Sequence, residues 1–187
     1  MRTSAPGQSA LLMLDVAELL VAKRIRYAVV GAMAAAVHGV VRASLDADAV
    51  VALQVQEAHD LRRAFVEAGY EAELRVGDVD DPIPALLEVL DRHRNRVDLL
   101  IGLRGMDPEA MGRTQQVALA GATLEIVGRE DFVAMKAFAG GPLDLSDARA
   151  VLDMDRSSLD LDLLRRLAQR FGSDTLNAVE TLIGGGE

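Results

Sequence analysis

From Gln8 onward apolar residues recur at Leu11, Leu12, Val16, Leu19, Leu20 and Ile25, a spacing of three and four that predicts a helix over 8–26. Its basic end, Lys23-Arg24-Ile25-Arg26, suits the negative pole of a helix. The uninterrupted apolar run Tyr27-Ala28-Val29-Val30 predicts a buried strand closed by Gly31, and the alanine-rich stretch 32–38 predicts a helix stopped by Gly39. Positions 44–51 alternate in character and then turn wholly apolar, as a strand does when it runs into a core. An amphipathic helix over 56–68, a strand over 70–76 and an acidic, turn-rich loop over 77–84 follow. Two apolar runs, 86–90 and 96–101, flank Asp91-Arg92-His93-Arg94-Asn95 as the arms of an antiparallel hairpin, and 117–119 with 122–127 around Gly121 predict another. Beyond Gly128 the spacing is helical throughout, over 129–139, 145–152, 159–171 and 174–183, with a Gly184-Gly185-Gly186-Glu187 tail expected to fray.

Strands and helices thus mix up to residue 127, and helices alone fill 128–187. This predicts an α/β (α+β) fold: a short mixed sheet flanked by helices in 1–127, with a helical region over 128–187 packed on that core. At 187 residues, 50% hydrophobic and 26% charged, the chain has the composition of an ordinary globular domain. The absence of cysteine excludes disulfides, thiolate metal sites and a cysteine nucleophile, and three histidines leave any metal to oxygen ligands. No apolar run approaches the roughly 20 residues that span a bilayer, so a cytoplasmic protein without membrane contact is expected. With 20 Lys+Arg against 29 Asp+Glu the net charge is −9, which weighs against a broad nucleic-acid surface.

The chemistry concentrates at Asp46-Ala47-Asp48. On a strand, residues i and i+2 share a face with Cα atoms about 6.6 Å apart, so two carboxylates converge while Ala47 and Ala49 face inward. Paired carboxylates suit a hard divalent cation that also binds substrate phosphate. Upstream, Gly31 and Ala32 stand where a strand becomes a helix, a place where backbone N–H groups receive phosphate. A third carboxylate, Asp98, sits between Val97 and Leu99 on the second predicted strand of the first hairpin.

These blocks resemble the nucleotidyltransferase superfamily, whose signature is an apolar residue, Gly, then Gly or Ser, a spacer of some ten to thirteen residues, and two acids flanking an apolar residue. Here the match is Val30-Gly31-Ala32, thirteen residues, and Asp46-Ala47-Asp48, with Asp98 in Arg96-Val97-Asp98-Leu99-Leu100. Within that superfamily the chain is similar to the small AbiEii/MNT-like, toxin–antitoxin-associated branch. The stretches Val30-Gly31-Ala32-Met33-Ala34-Ala35-Ala36-Val37-His38-Gly39 and Arg42-Ala43-Ser44-Leu45-Asp46 carry that likeness, with the later Glu130-Asp131-Phe132-Val133-Ala134-Met135-Lys136 and Asp144-Leu145-Ser146-Asp147.

The resemblance implies transfer of a nucleoside monophosphate from an NTP, ATP foremost, to a hydroxyl of a protein, a tRNA or a small molecule, with a cognate toxin or antitoxin as partner. It assigns Asp46, Asp48 and Asp98 to catalysis and to Mg2+ or Mn2+, and Gly31, Ala32, Arg42 and Lys136 to the nucleotide. Two departures stand out: Ala32 replaces the second Gly or Ser, and Gly140-Gly141 stands where relatives often carry an Arg. The rival readings are a degraded, noncatalytic module that binds a protein partner, and a phosphohydrolase. Several roles stay open on sequence. His38 either touches nucleotide or packs the alanine helix, and Arg42 either meets phosphate or orients Asp46. Asp144 and Asp147 charge a helix start or join the site. The basic run from Arg92 to Arg96 is a solvated hairpin tip, or a phosphate contact if the acceptor is RNA.

Overall fold

The computed structural model describes residues 1–185; Gly186 and Glu187, on which half of the expected frayed tail falls, lie outside the described residues. The first helix, α1 (Ser9–Ala22), stops short of the expected end because Lys23 closes it and Arg24 turns to φ +60°. Strand β1 (Tyr27–Val30) and helix α2 (Gly31–Val37) follow, then β2 (Asp46–Val51), a 3-10 turn at Val55–Glu57 and α3 (Ala58–Glu67). The hairpins form as the pattern predicts: β4 (Ala85–Leu90) pairs with β5 (Arg96–Ile101), and β6 (Gln115–Leu119) with β7 (Ala122–Ile126), both antiparallel. Strand β3 (Glu71–Val76) adds to β4. A 3-10 turn at Pro108–Gly112, capped by Asp107, was not expected from the pattern. The last four helices are α4 (Arg129–Ala139), α5 (Pro142–Met154), α6 (Leu161–Phe171) and α7 (Ser173–Gly184).

The chain divides into two compact units. The first comprises Met1–Met33, Ala43–Arg104 and Gln115–Ile126, and it holds one mixed seven-stranded sheet in the order β3-β4-β5-β2-β1-β7-β6. Here β2 lies between β1, antiparallel, and β5, parallel, with Val29 opposite Ala49 and Asp48 opposite Asp98. Period-2 burial explains this register. Val97, Leu99 and Ile101 of β5 and Leu87 and Val89 of β4 are fully buried, level with Ala47, Ala49 and Val51 of β2. Against the sheet packs α1, whose Leu12, Met13, Val16 and Leu20 have no exposed surface; α3 covers β3 and β4 with Leu61 and Phe65. Burying a side chain of that size stabilises by about 1.5–3 kcal/mol. The edge strand β3 is exposed and carries Glu71, Glu73 and Arg75, charges that discourage pairing with another chain.

The second unit comprises Ala34–Arg42, Gly105–Thr114 and Val127–Glu187. In it α4 packs on α5, α6 and α7 through Phe132, Val133 and Ala137. Gly140 ends α4 at φ +68°, Pro142 opens α5, and Asp160 accepts a hydrogen bond from Leu163 N at 2.8 Å to start α6. The Arg113 guanidinium donates to both oxygens of buried Asp131, at 2.8 Å each.

Candidate active site

The register across β4, β5 and β2 sets three acids in one row. Glu88 stands opposite Asp98, and Asp98 opposite Asp48. Directly paired residues point to the same side of a sheet, so all three carboxylates project from the face opposite the buried Leu87-Leu99-Ala49 row. In the next row Leu90, Arg96 and Asp46 are likewise level. Asp46, Asp48 and Asp98 therefore stand on one face of the sheet, toward the N-terminal ends of two parallel strands.

Gly31 belongs to the same corner. It follows Val30, the β1 partner of Asp48, at φ +61°, and a Cβ added there would collide with Asp48 Oδ2 and lie 3.0 Å from Asp48 Cγ. Only glycine combines that backbone with that proximity. Ala32, one step into α2, is buried.

Arg96 opens β5 as the pattern predicts, but its side chain is not part of a solvated hairpin tip: its guanidinium reaches across the acids. Nη2 lies 2.7 Å from Asp46 Oδ2 and 3.1 Å from Asp98 Oδ2, and Nη1 is 3.4 Å from Glu88 Oε2. The rest of the supposed tip is also anchored. Asp91 and Asn95 are buried: Asp91 accepts from Asn95 Nδ2 at 2.8 Å, and Asn95 Oδ1 accepts from Gln8 N at 2.7 Å. Arg94 pairs with Glu71 at 2.9 Å. A signal for Arg96 and Glu88 was present in the chain: Arg96 precedes Asp98 by two, and the hairpin register carries Glu88 to Asp98.

The carboxylates are electrostatically unequal. The Ser44 hydroxyl, 2.7 Å from Asp46 Oδ1, holds Asp46 below the usual carboxylate range, with Arg96 adding to the effect. Burial pushes Asp98 upward; Arg96 and, less, Arg75 pull against it, while the charges of Glu88 and Asp46 add to the rise. Its Oδ1 is buried without a hydrogen-bond partner. Among the described residues no group of three His, Cys, Asp or Glu side chains converges to hold a metal ion. Between Asp46 and Asp98 stands the Arg96 guanidinium.

Arg42 and Lys136, the expected nucleotide cations, meet each other's partners in the second unit. Buried Asp147 takes Arg42 Nε at 3.1 Å and Lys136 Nζ at 3.2 Å, and Asp144 accepts from Lys136 at 2.6 Å. Lys136 Nζ also sits 5.8 Å from the Phe132 ring centre. His38, in the same unit, is buried; its Nε2 donates to the Val127 carbonyl at 2.9 Å and its ring meets Phe132 edge-on. Its environment is that of a packing residue.

No family model matches the sequence, and no curated protein matches it closely enough to be counted a relative. Solved structures do match in three dimensions. A nucleotidyltransferase candidate of Thermotoga maritima aligns with a TM-score of 0.57 at 14% identity, over 81% of this chain and 96% of its own. The antibiotic-resistance factor ANT(2'')-Ia aligns with a TM-score of 0.56 at 14% identity over 88% of this chain and 90% of its own; it is also known in complex with adenylyl-2''-tobramycin. The lincosamide antibiotic adenylyltransferase LnuA, bound to lincomycin, gives 0.50 at 12% identity over 80% of this chain and 98% of its own. The chain has a nucleotidyltransferase fold. The fold accounts for the β1-to-α2 turn at Gly31 standing beside the β2 acids, because the antiparallel β1–β2 pairing fixes Val30 opposite Asp48. No helix among the described residues is long and apolar enough to cross a membrane.

Proposed function

We propose that this chain is a metal-dependent nucleotidyltransferase, moving a nucleoside monophosphate from an NTP, ATP foremost, to an acceptor hydroxyl. The observation that carries the reading is the level placement of Asp48 and Asp98 on parallel strands, with Asp46 two residues away and Gly31 folded against Asp48. The donor chemistry suits Mg2+ or Mn2+, since the three carboxylates are hard oxygen ligands on one face; they do not converge as a metal cage here, and the Arg96 guanidinium takes the place of a cation between Asp46 and Asp98. Asp46, Asp48 and Asp98 would hold the metal, which when bound supplies charge neutralisation of the triphosphate.

In the reaction the acceptor oxygen forms a bond to the α-phosphorus as the bond from that phosphorus to the bridging oxygen breaks. Pyrophosphate leaves. Asp98 Oδ1 takes the hydroxyl proton, a task that its burial and raised proton affinity suit. Asp46, held in its charged form by Ser44 and Arg96, stays a carboxylate throughout. The Gly31 turn leaves room for Asp48 and for phosphate beside the backbone. Arg42 and Lys136 enter the reading as cations already balanced by Asp147 and Asp144, and the proton transfer does not require them.

The acceptor follows from chemistry and likeness. The net charge of −9 favours a protein or small-molecule hydroxyl over tRNA. The adenylylated tobramycin of a fold neighbour supports the small molecule, and the AbiEii/MNT-like blocks support a protein partner in a toxin–antitoxin setting. A second reading, a noncatalytic binding module, draws on Ala32 in the phosphate turn and on acids already paired with Arg96. Incubation with each α-labelled NTP, Mg2+ or Mn2+, and either cell lysate or a panel of hydroxylated small molecules separates the two. Label must reach an acceptor and must vanish in Asp46→Ala/Asp48→Ala. If no NTP binds at millimolar concentration, the transferase reading is wrong.

A further inference from the structure

Asp46, Asp48, Asp98 and Glu88 share the acid face with the Arg96 guanidinium, and Glu73 and Arg75 of β3 stand beside Glu88. Arg96 contacts three of those carboxylates, from three adjacent strands, and stands between Asp46 and Asp98. Glu88 and Asp98 are deep, each with 14% of its side chain exposed, whereas Arg96 is 41% exposed. The arginine is thus held by acids at its guanidinium while its side chain as a whole remains partly exposed. It can leave without unpacking the core, and because a guanidinium keeps its charge at any working pH, its hold on the acids is broken only by another cation or a better anion.

We infer that Arg96 is a resident counter-cation of the acid face, displaced when a divalent ion arrives together with a nucleoside triphosphate. The site therefore takes up the metal–triphosphate complex in preference to the free ion. This rests on the proposed function. The physical basis is competition between like charges: a divalent ion entering between Asp46 and Asp98 meets the guanidinium already held there, so free metal must push aside a bound cation with nothing to receive it. A triphosphate changes the balance, since it brings phosphate oxygens that accept the released fork. Glu88, in register with Asp98 and bound to Nη1, is the positioning residue that keeps the guanidinium over the acids.

The test is Mn2+ binding to the intact chain, followed by electron paramagnetic resonance, with and without a non-hydrolysable ATP analogue. Arg96→Gln is expected to bind free Mn2+ about tenfold more tightly than the unaltered chain, and the gap is expected to close to less than about threefold with the analogue present. Arg96→Lys, a point charge that spans fewer carboxylates, falls between them and decides the matter if Arg96→Gln does not fold. A merely structural ion pair predicts lower melting temperature with no gain in Mn2+ affinity, and that result overturns the inference. If neither the unaltered chain nor either variant binds Mn2+ with the analogue at millimolar concentration, the proposed function fails instead.

Discussion

Gly31 and Asp48 are in mutual exclusion: the space a Cβ on residue 31 would take is filled by the Asp48 carboxylate, and the backbone at 31 is left-handed at φ +61°. Two separable costs follow for Gly31→Ala. The left-handed backbone costs about 1–2 kcal/mol in a residue with a Cβ, and the collision adds to it or drives Asp48 off its position. Gly31→Ala should therefore lower stability by about 2 kcal/mol or more and abolish nucleotide transfer. In Gly31→Ala/Asp48→Ala the collision is gone and the backbone cost remains. A double-mutant cycle by urea denaturation should show the two changes to be less than additive; strict additivity would disprove the contact.

Asp98→Asn separates stability from chemistry. The carboxylate is pushed toward protonation by burial and by Glu88 and Asp46, so an amide of the same shape removes a desolvated charge. The melting temperature should hold or rise, while transfer should fall at least about a hundredfold through loss of the proton acceptor. A variant that melts markedly lower and keeps its activity would contradict both halves.

Much of this arrangement can be traced to local sequence, and each exception has its own physical cause. The hairpins at 85–101 and 115–126 close over short loops, so their pattern and their register are both local. The insertion of β2 between β1 and β5 is not. It pairs Asp48 with Asp98 across fifty residues, and nothing near Asp46 in the chain announces a parallel neighbour. Arg96 was hidden for the opposite reason. The basic run from Arg92 to Arg96 resembles a solvated loop, yet Asp91 and Asn95 within the turn are buried, and Arg96, on the predicted strand, points its guanidinium at the acids. Arg42 and Lys136 show the limit of motif transfer, since each has a carboxylate partner that motif spacing does not reveal.

In the second unit, Asp147 and Asp144 provide an internal comparison. Asp147 is 3% exposed and is shared by Arg42 and Lys136, whereas Asp144 is 31% exposed and pairs with Lys136. Removing a buried carboxylate strands its cations. Asp147→Ala should cost about 2–3 kcal/mol, discounted for the partial exposure of Arg42. Asp144→Ala should cost less than about 1 kcal/mol. Urea midpoints at unchanged slope check both, and equal losses would show that burial does not set the strength of this cluster.

His38 gives the fold a pH dependence of known sign. Desolvation lowers its pKa below the ordinary 6.5, the Val127 carbonyl and Glu130 oppose that shift, and Arg129 adds to it. Above pH 6.5 the ring is neutral whether the chain is folded or not, and it contributes no slope. As the pH falls below 6.5 the unfolded chain takes up a proton that the folded chain refuses, so stability declines. Once the pH is below the folded pKa, both states carry the proton and the slope from this group ends. The carboxylates with resolved downward shifts, Glu18, Asp46, Asp91, Asp155 and Glu180, titrate in a lower range and do not share this window. Melting curves between pH 8 and pH 5 should therefore drop more steeply for the unaltered chain than for His38→Gln, which keeps a donor for the Val127 carbonyl but has nothing to protonate. Parallel curves for the two chains would mean that His38 is not the group responsible.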